Sequence, residues 1–329
     1  MSTNSSGKNL QHEIENIFKK RQYENFNEWV TNFALNLPDI WNEKSAKELT
    51  IQENSKDVKE EHSAIVIGRG PSIDRHEHLK LLAESDYNGT IVCCDGKLID
   101  ALNAGVTPER FPKYFVVTVD PYEAIKELYD DNVVDLYGDK IKGIFTVLTN
   151  NDAAIRARQA GIKIHWLHSL FDYNEGEKSF NNLSALMIRA KNFKHRLPGI
   201  QTGGNVGTAS WFAAWQILKC STVILTGINH GWEEGDSWET IIRHADPTLH
   251  AADKNSPIFK KLYRKIYNPD FDCNCILDPL FQFYSEALKE FISRSPEWVT
   301  TINATEGGSI FGDRIKPMRF LDVLDSYKK

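Results

Sequence analysis

From Ser63 onward, short apolar runs alternate with helix-compatible segments, and this rhythm limits the fold more than any other feature. The runs 64–67, 90–95, 114–120, 143–148 and 163–167 are almost uninterrupted Ile, Val, Leu, Phe and Cys, and each reads as a strand. Segments at 79–84, 97–103, 124–128 and 153–160 read as the helices between them. A strand that is apolar at every position must be covered on both faces, which is the situation of a parallel sheet flanked by helices. The expectation is therefore an α/β fold: a Rossmann-like, mostly parallel sheet with helices on both faces. A helix from Val206, a strand ending at Gly227, a helix 283–293, a strand 298–303 and a last helix from about Pro317 continue the pattern.

Two segments stand outside it. Residues 1–62 read as a helical extension with a charged linker: Ile14, Ile17 and Phe18 share one helix face, as do Trp29, Phe33 and Leu37. Pro38 is expected to end the second of these helices, since proline lacks the N–H a helix interior needs. The remainder, 63–329, reads as one domain with an insertion at about 230–282. That insertion is rich in Trp, His and charge and directly follows a strand end, where lids and substrate pockets are commonly built.

The 329 residues carry a net charge of -6, which disfavours a general nucleic-acid binder. No run is long and apolar enough to span a bilayer, and the first residues lack the basic-then-apolar pattern of a secretion signal. The expected location is cytoplasmic, and a homo-oligomer is compatible with the sequence. Five cysteines are an odd number, and the Cys273/Cys275 pair has no second pair to complete a zinc site. Reduced thiols are the expected state.

Thr202-Gly203-Gly204-Asn205-Val206-Gly207-Thr208 opens a helix, and Gly68-Arg69-Gly70-Pro71-Ser72 follows the first strand. Glycine lets backbone approach a ligand, and a helix start offers free N–H groups and partial positive charge, so both turns suit phosphate. Gly68, Gly70, Ser72, Gly203, Gly204, Asn205 and Thr208 are the candidate nucleotide-binding residues. The dinucleotide fingerprint G-x-G-x-x-G fails at Ile73, and a Gly-Lys-Ser/Thr phosphate loop is missing, so ordinary NAD binding and P-loop hydrolysis are disfavoured. Asp95 and Asp120 end strands and could share Mg²⁺, with a turn or helix-cap role as the plainer alternative. His230 follows another strand end and is a candidate base, although a lone loop histidine is often structural. Asn303 and Glu306, in the late Asn-Ala-Thr-Glu-Gly-Gly turn, are candidate substrate contacts. Lys260, Lys261, Arg264 and Lys265 form a basic cluster that would screen phosphate charge if the insertion folds over the site.

In this order, Gly-x-Gly-Pro-Ser, the two strand-end aspartates, Thr-Gly-Gly-Asn-Val-Gly and Asn-Ala-Thr-Glu-Gly-Gly resemble the 6-hydroxymethylpterin diphosphokinase MptE-like family, which is related to motility accessory factor glycosyltransferases. The resemblance implies transfer of diphosphate from ATP to the hydroxymethyl group of 6-hydroxymethyl-7,8-dihydropterin, with Mg²⁺ as cofactor. It implies nucleotide contacts at the two glycine turns, metal or substrate at Asp95 and Asp120, and catalytic roles for Asp120 and His230. Ile228-Asn229-His230 stands where family members often carry an acidic residue, a departure that bears on metal binding and on the acceptor. A CMP-type nucleotide-sugar glycosyltransferase with a sugar acceptor is the alternative, and a non-catalytic nucleotide-binding module is a second one.

Overall fold

The computed structural model describes residues 26–50, 62–170, 179–188, 196–245 and 257–328. The face at Ile14, Ile17 and Phe18 and the linker 53–61 lie outside these residues. The strands are β1 (Lys44–Ser45), β2 (Ser63–Ile67), β3 (Thr90–Cys94), β4 (Tyr114–Thr118), β5 (Lys142–Thr146), β6 (Lys163–Ser169), β7 (Gly199–Ile200), β8 (Thr222–Thr226), β9 (Trp232–Glu233), β10 (Arg264–Asn268), β11 (Cys273–Leu277), β12 (Thr300–Asn303) and β13 (Ile315–Pro317). The α-helices are α1 (residues 26–42), α2 (Ser72–Arg75), α3 (His78–Glu84), α4 (Leu98–Asn103), α5 (Asn132–Tyr137), α6 (Asn151–Gln159), α7 (Phe180–Ile188), α8 (Val206–Phe212), α9 (Trp238–Ala245), α10 (Pro257–Leu262), α11 (Pro279–Ser293) and α12 (Phe320–Ser326). None is long and apolar enough to cross a membrane among the described residues.

Ten strands form one sheet in the order β1-β6-β5-β4-β3-β2-β8-β12-β13, with β7 beside β6. Every pairing in it is parallel. The α/β architecture expected from the apolar runs is the one observed. Successive side chains of each strand enter opposite cores: Ile65, Ile67, Ile91 and Cys93 face one way, Ala64, Val66, Val92 and Val117 the other. The first core is closed by α1, α3, α4, α6 and α12, the second by α8 and α11. Burying one Ile or Val in this way contributes about 1.5–3 kcal/mol, so a strand apolar on both faces is held from both sides.

Several boundaries differ from the sequence expectation. α1 runs through Pro38, because Trp29, Phe33 and Ile40 along it are all locked into the first core. β1 then pairs with β6, so residues 26–50 share the sheet and core of the chain that follows. Residues Glu123–Tyr129 form a 3₁₀ helix rather than an α-helix. Pro317 ends β13 instead of starting the last helix, which begins at Phe320. The described part of the insertion holds α9, α10 and a three-stranded antiparallel sheet, β10-β11-β9.

Candidate functional site

The strand order reverses between β2 and β8, and ligands of open parallel sheets bind at the carboxyl ends of strands where such a reversal opens a crevice. β2 leads into Gly68-Arg69-Gly70 and β8 into Gly227-Ile228-Asn229-His230. The two turns are pressed together. The Gly68 N–H donates to the Thr226 carbonyl and the Gly70 N–H to the Gly227 carbonyl, each at 2.8 Å. A Cβ on Gly70 would lie 2.0 Å from Asn229 Oδ1, and one on Gly68 would lie 2.3 Å from the Gly227 oxygen. The buried Ser72 hydroxyl donates to Asn229 Oδ1 at 2.9 Å. Gly68, Gly70 and Ser72, expected to offer donors to phosphate, instead give these donors to the neighbouring turn. Their glycines are explained by close approach of backbone to backbone.

A cavity of about 570 Å³ opens over this reversal. Gly68, Arg69 and Gly70 line one side, and Gly227 to Trp232 the other. Asn205, Val206 and Gly207, at the start of α8, form a third wall, and Thr240, His244, Phe281 and Tyr284 close the fourth. Asn205 caps α8: its Oδ1 accepts from the Thr208 N–H at 2.8 Å, and its Nδ2 donates to Thr208 Oγ1 at 3.1 Å. Gly203 and Gly204 take φ of 56° and 80°, a left-handed bend that other residues resist. A Cβ on Gly204 would lie 2.8 Å from the Tyr284 ring. Gly203, Gly204 and Thr208 thus shape the turn, while Asn205 and the first helical residues reach the cavity. A helix leaves its first N–H groups without internal partners, and they carry partial positive charge.

Asp95 and Asp120 follow neighbouring strands, one position past β3 and two past β4. The 3₁₀ turn after Asp120 has no side-chain cap, so capping does not explain this aspartate. Asp95 Oδ1 accepts from the Gly96 N–H at 2.7 Å, and its Oδ2 is buried with no hydrogen-bond partner. Burial pushes Asp95 up to about 7, with the Asp120 charge adding to it; the Gly96 N–H, Thr118 and Arg69 work in the other direction. Burial also pushes Asp120 up to about 6. Asp95 and Asp120 do not themselves line the cavity; Arg69 lines it and reaches the Asp95 side, its Cδ lying 2.9 Å from where a Cβ on Gly96 would stand. No cluster of three or more His, Cys, Asp or Glu is arranged for a metal among the described residues. Two carboxylates with one buried oxygen unpartnered do fit Mg²⁺, which is commonly held by one or two carboxylates plus waters and substrate phosphates.

His230 lines the cavity with φ of 38° and is nearly fully buried. Burial, which the Tyr284 backbone opposes and Lys289 reinforces, pushes its imidazole down to about 4. It is neutral at physiological pH and a weak proton acceptor. Asn303 and Glu306 do not line the cavity. The Asn303 amide donates to the Ile310 carbonyl at 2.6 Å and accepts from the Thr305 N–H at 2.9 Å. Glu306 Oε2 lies 3.1 Å from His78 Nε2 and accepts from the Phe320 N–H at 3.2 Å. Both hold together the turn after β12. The basic cluster also stays outside the cavity, with Lys265 paired to Glu234.

The structure adds a group that residue patterns did not mark. Asp278 is fully buried; it accepts from Phe281 N–H, from Trp232 Nε1–H at 2.8 Å and meets His244 Nδ1 at 2.7 Å. Asp278-Pro279 is a legible helix start, proline being favoured at the first helical position. Its links to Trp232 and His244 exist only once β11 pairs with β9.

A parallel sheet with an arginine-bearing turn and a helix start at its order reversal, and two carboxylates past the adjoining strands β3 and β4, is compatible with a nucleotide-related α/β protein. The chain belongs to the family described as 6-hydroxymethylpterin diphosphokinase MptE-like, whose model matches residues 31–235, more than half of the sequence. The family is transferase-like and nucleotide-related. A similar solved structure is that of a Maf glycosyltransferase from Magnetospirillum magneticum AMB-1, with a TM-score of 0.52 at 14% identity. The match covers 86% of this chain and 38% of that one, so this chain spans well under half of that protein. It shows a shared fold. No curated protein sequence matches the chain.

Proposed function

We propose that the cavity binds a nucleotide polyphosphate and that the chain is a Mg²⁺- and ATP-dependent diphosphotransferase acting on a 6-hydroxymethylpterin. The observation that carries this reading is the Asp95–Asp120 pair outside the cavity lining, with Arg69, which does line the cavity at the β2/β8 reversal, acting on Asp95. Phosphoryl-group transfer is mainly positioning and charge neutralisation. In this reading, Arg69 and the start of α8 hold phosphate charge, and Asp95 and Asp120 hold Mg²⁺, which would neutralise the polyphosphate when bound. Trp232 and Tyr284 offer apolar ring surface to the pterin, with Phe281 stacked behind His244. The acceptor oxygen attacks the β-phosphorus of ATP, the bond to the α-phosphate oxygen breaks, and AMP leaves. His230, kept neutral, serves as a hydrogen-bonding group rather than as a base.

The same aromatic wall favours a second reading, a CMP-type nucleotide-sugar glycosyltransferase in which these rings stack on sugar. The likeness to a glycosyltransferase fold supports it. Incubation with ATP, Mg²⁺ and the reduced pterin is expected to yield AMP and pterin diphosphate; no AMP sinks the first reading. A thermal-shift series with ATP, GTP, CMP, CMP-sugars and UDP-sugars separates the two, because stabilisation by CMP compounds alone selects the glycosyltransferase. Tight ATP binding without turnover selects a non-catalytic module.

A further inference from the structure

We infer that His244, held by Asp278, is the general base that takes the proton from the acceptor hydroxyl; the inference rests on the transferase reading above and names a residue for its acceptor side. Asp278 is wholly buried, and its two oxygens have separate tasks. Oδ1 accepts from the Phe281 N–H at 2.9 Å and starts α11. Oδ2 accepts from Trp232 Nε1–H at 2.8 Å and faces His244 Nδ1 at 2.7 Å. A carboxylate oxygen facing Nδ1 accepts, so in the neutral imidazole of His244 the proton sits on Nδ1 and Nε2 carries the lone pair. Nε2 has no hydrogen-bond partner among the described residues, and His244 lines the cavity.

The ring is also fixed in orientation. It stacks on Phe281 with centroids 4.5 Å apart and planes at 24°. Trp232 meets it at 5.3 Å and 78°. A base aligned by a third group and confined by packing is the arrangement that proton abstraction from a hydroxyl requires. His230, in the same cavity, has no carboxylate partner among the described residues and is buried to neutrality. Other charged or titratable groups on the surrounding elements include Glu233 on β9, paired with Arg75; Glu239 on α9 itself; Tyr284, Glu286, Lys289 and Glu290 on α11; and Arg69 in the cavity lining.

The chemistry balances without another reactant. The acceptor O–H proton passes to Nε2 as the oxygen lone pair forms the new bond to phosphorus, and the nucleotide leaves with the electrons of the broken bond. If the donor is a nucleotide-sugar, the same oxygen attacks the anomeric carbon, and the role of His244 is unchanged.

The test uses the full chain, H244Q and D278N; asparagine keeps an N-cap acceptor for α11. In ¹⁵N-histidine NMR, the resonances missing from H244Q identify His244. A fixed Nδ1–H tautomer in the wild type that is lost in D278N is expected; an Nε2–H tautomer, or one unchanged by D278N, overturns the dyad. In thermal shift, H244Q is expected to keep the stabilisation that ATP with Mg²⁺, or CMP, gives the wild type. In turnover with that nucleotide, kcat should fall by roughly 10²–10⁴-fold with KM for the nucleotide unchanged. A wild-type kcat in H244Q overturns the inference. If no nucleotide stabilises the wild type, the transferase reading falls, and the base assignment that rests on it falls too, whatever the tautomer shows.

Discussion

Ser72 donates its hydroxyl proton to Asn229 Oδ1 at 2.9 Å, tying the turn after β2 to the turn after β8. Both turns line the cavity, so their mutual fit decides where Arg69 and His230 stand.

Gly70→Ala is therefore expected to destabilise the chain and distort the site. Its Cβ would stand 2.0 Å from Asn229 Oδ1 and 2.6 Å from the Gly227 oxygen, neither of which can withdraw freely. Overpacking of this kind costs about 1–3 kcal/mol. Urea denaturation measures it; a midpoint equal to that of the wild type would show that the turns are loosely joined.

Asp95 and Asp120 make stability depend on pH. Both carboxyls sit above their ordinary 3.8 in the folded chain, at about 7 and about 6. Between 3.8 and about 7 the folded state binds protons that the unfolded state has released, so stability falls as pH rises through this window. Asp120→Asn removes one of the two charges. It should melt above the wild type at pH 8, match it at pH 4, and lose turnover. Added Mg²⁺ should raise the melting temperature at pH 8 in the wild type only. Parallel pH curves for the two proteins would contradict the pairing.

Much of the sheet was legible because both faces of β2, β3, β4 and β8 are buried, which forces an unbroken apolar run. β1 escaped notice, since two residues beside a charged linker carry no periodicity. Asn303 and Glu306 are polar and stand at a strand end, and that marks the turn after β12 as a ligand contact in the sequence. Their side chains are used instead to bind Ile310, His78 and Phe320. Trp232, His244 and Asp278 are far apart in sequence, and only antiparallel pairing and a helix cap bring them together.

Arg69→Ala should weaken nucleotide binding. A hydrogen bond to a charged group is worth about 1.5–3 kcal/mol, or roughly 10- to 100-fold in Kd. It should also push the Asp95 carboxyl further up, because Arg69 is one of the groups holding it down. Isothermal titration with ATP and Mg²⁺ reads the first effect, and carboxyl NMR the second. An unchanged Kd would remove Arg69 from the phosphate site.

The five cysteines should react unequally. Burial pushes the Cys94 and Cys275 thiols up to about 12 and Cys220 up to about 11, and Cys93 is raised as well. Cys273 is the one not fully buried. Thiolate is the reactive form, so a native-state thiol assay at pH 8 should show one fast equivalent and four slow ones. Replacing Cys273 by Ser should abolish the fast phase; its survival would locate the reactive thiol elsewhere.

Asp278 joins two places that are distant along the chain, Trp232 at the entrance of the insertion and the first turn of α11 at its exit. The described part of the insertion, α9, α10 and the β10-β11-β9 sheet, is thereby closed at its neck. A segment closed in this way is a unit that substitution could vary while β2, β8 and α8 keep their places. One nucleotide-side scaffold would then serve different acceptors, with selectivity carried by that unit and its mounting shared by Asp278, the Arg75–Glu233 pair and the Asn268 amide on the Gly308 carbonyl.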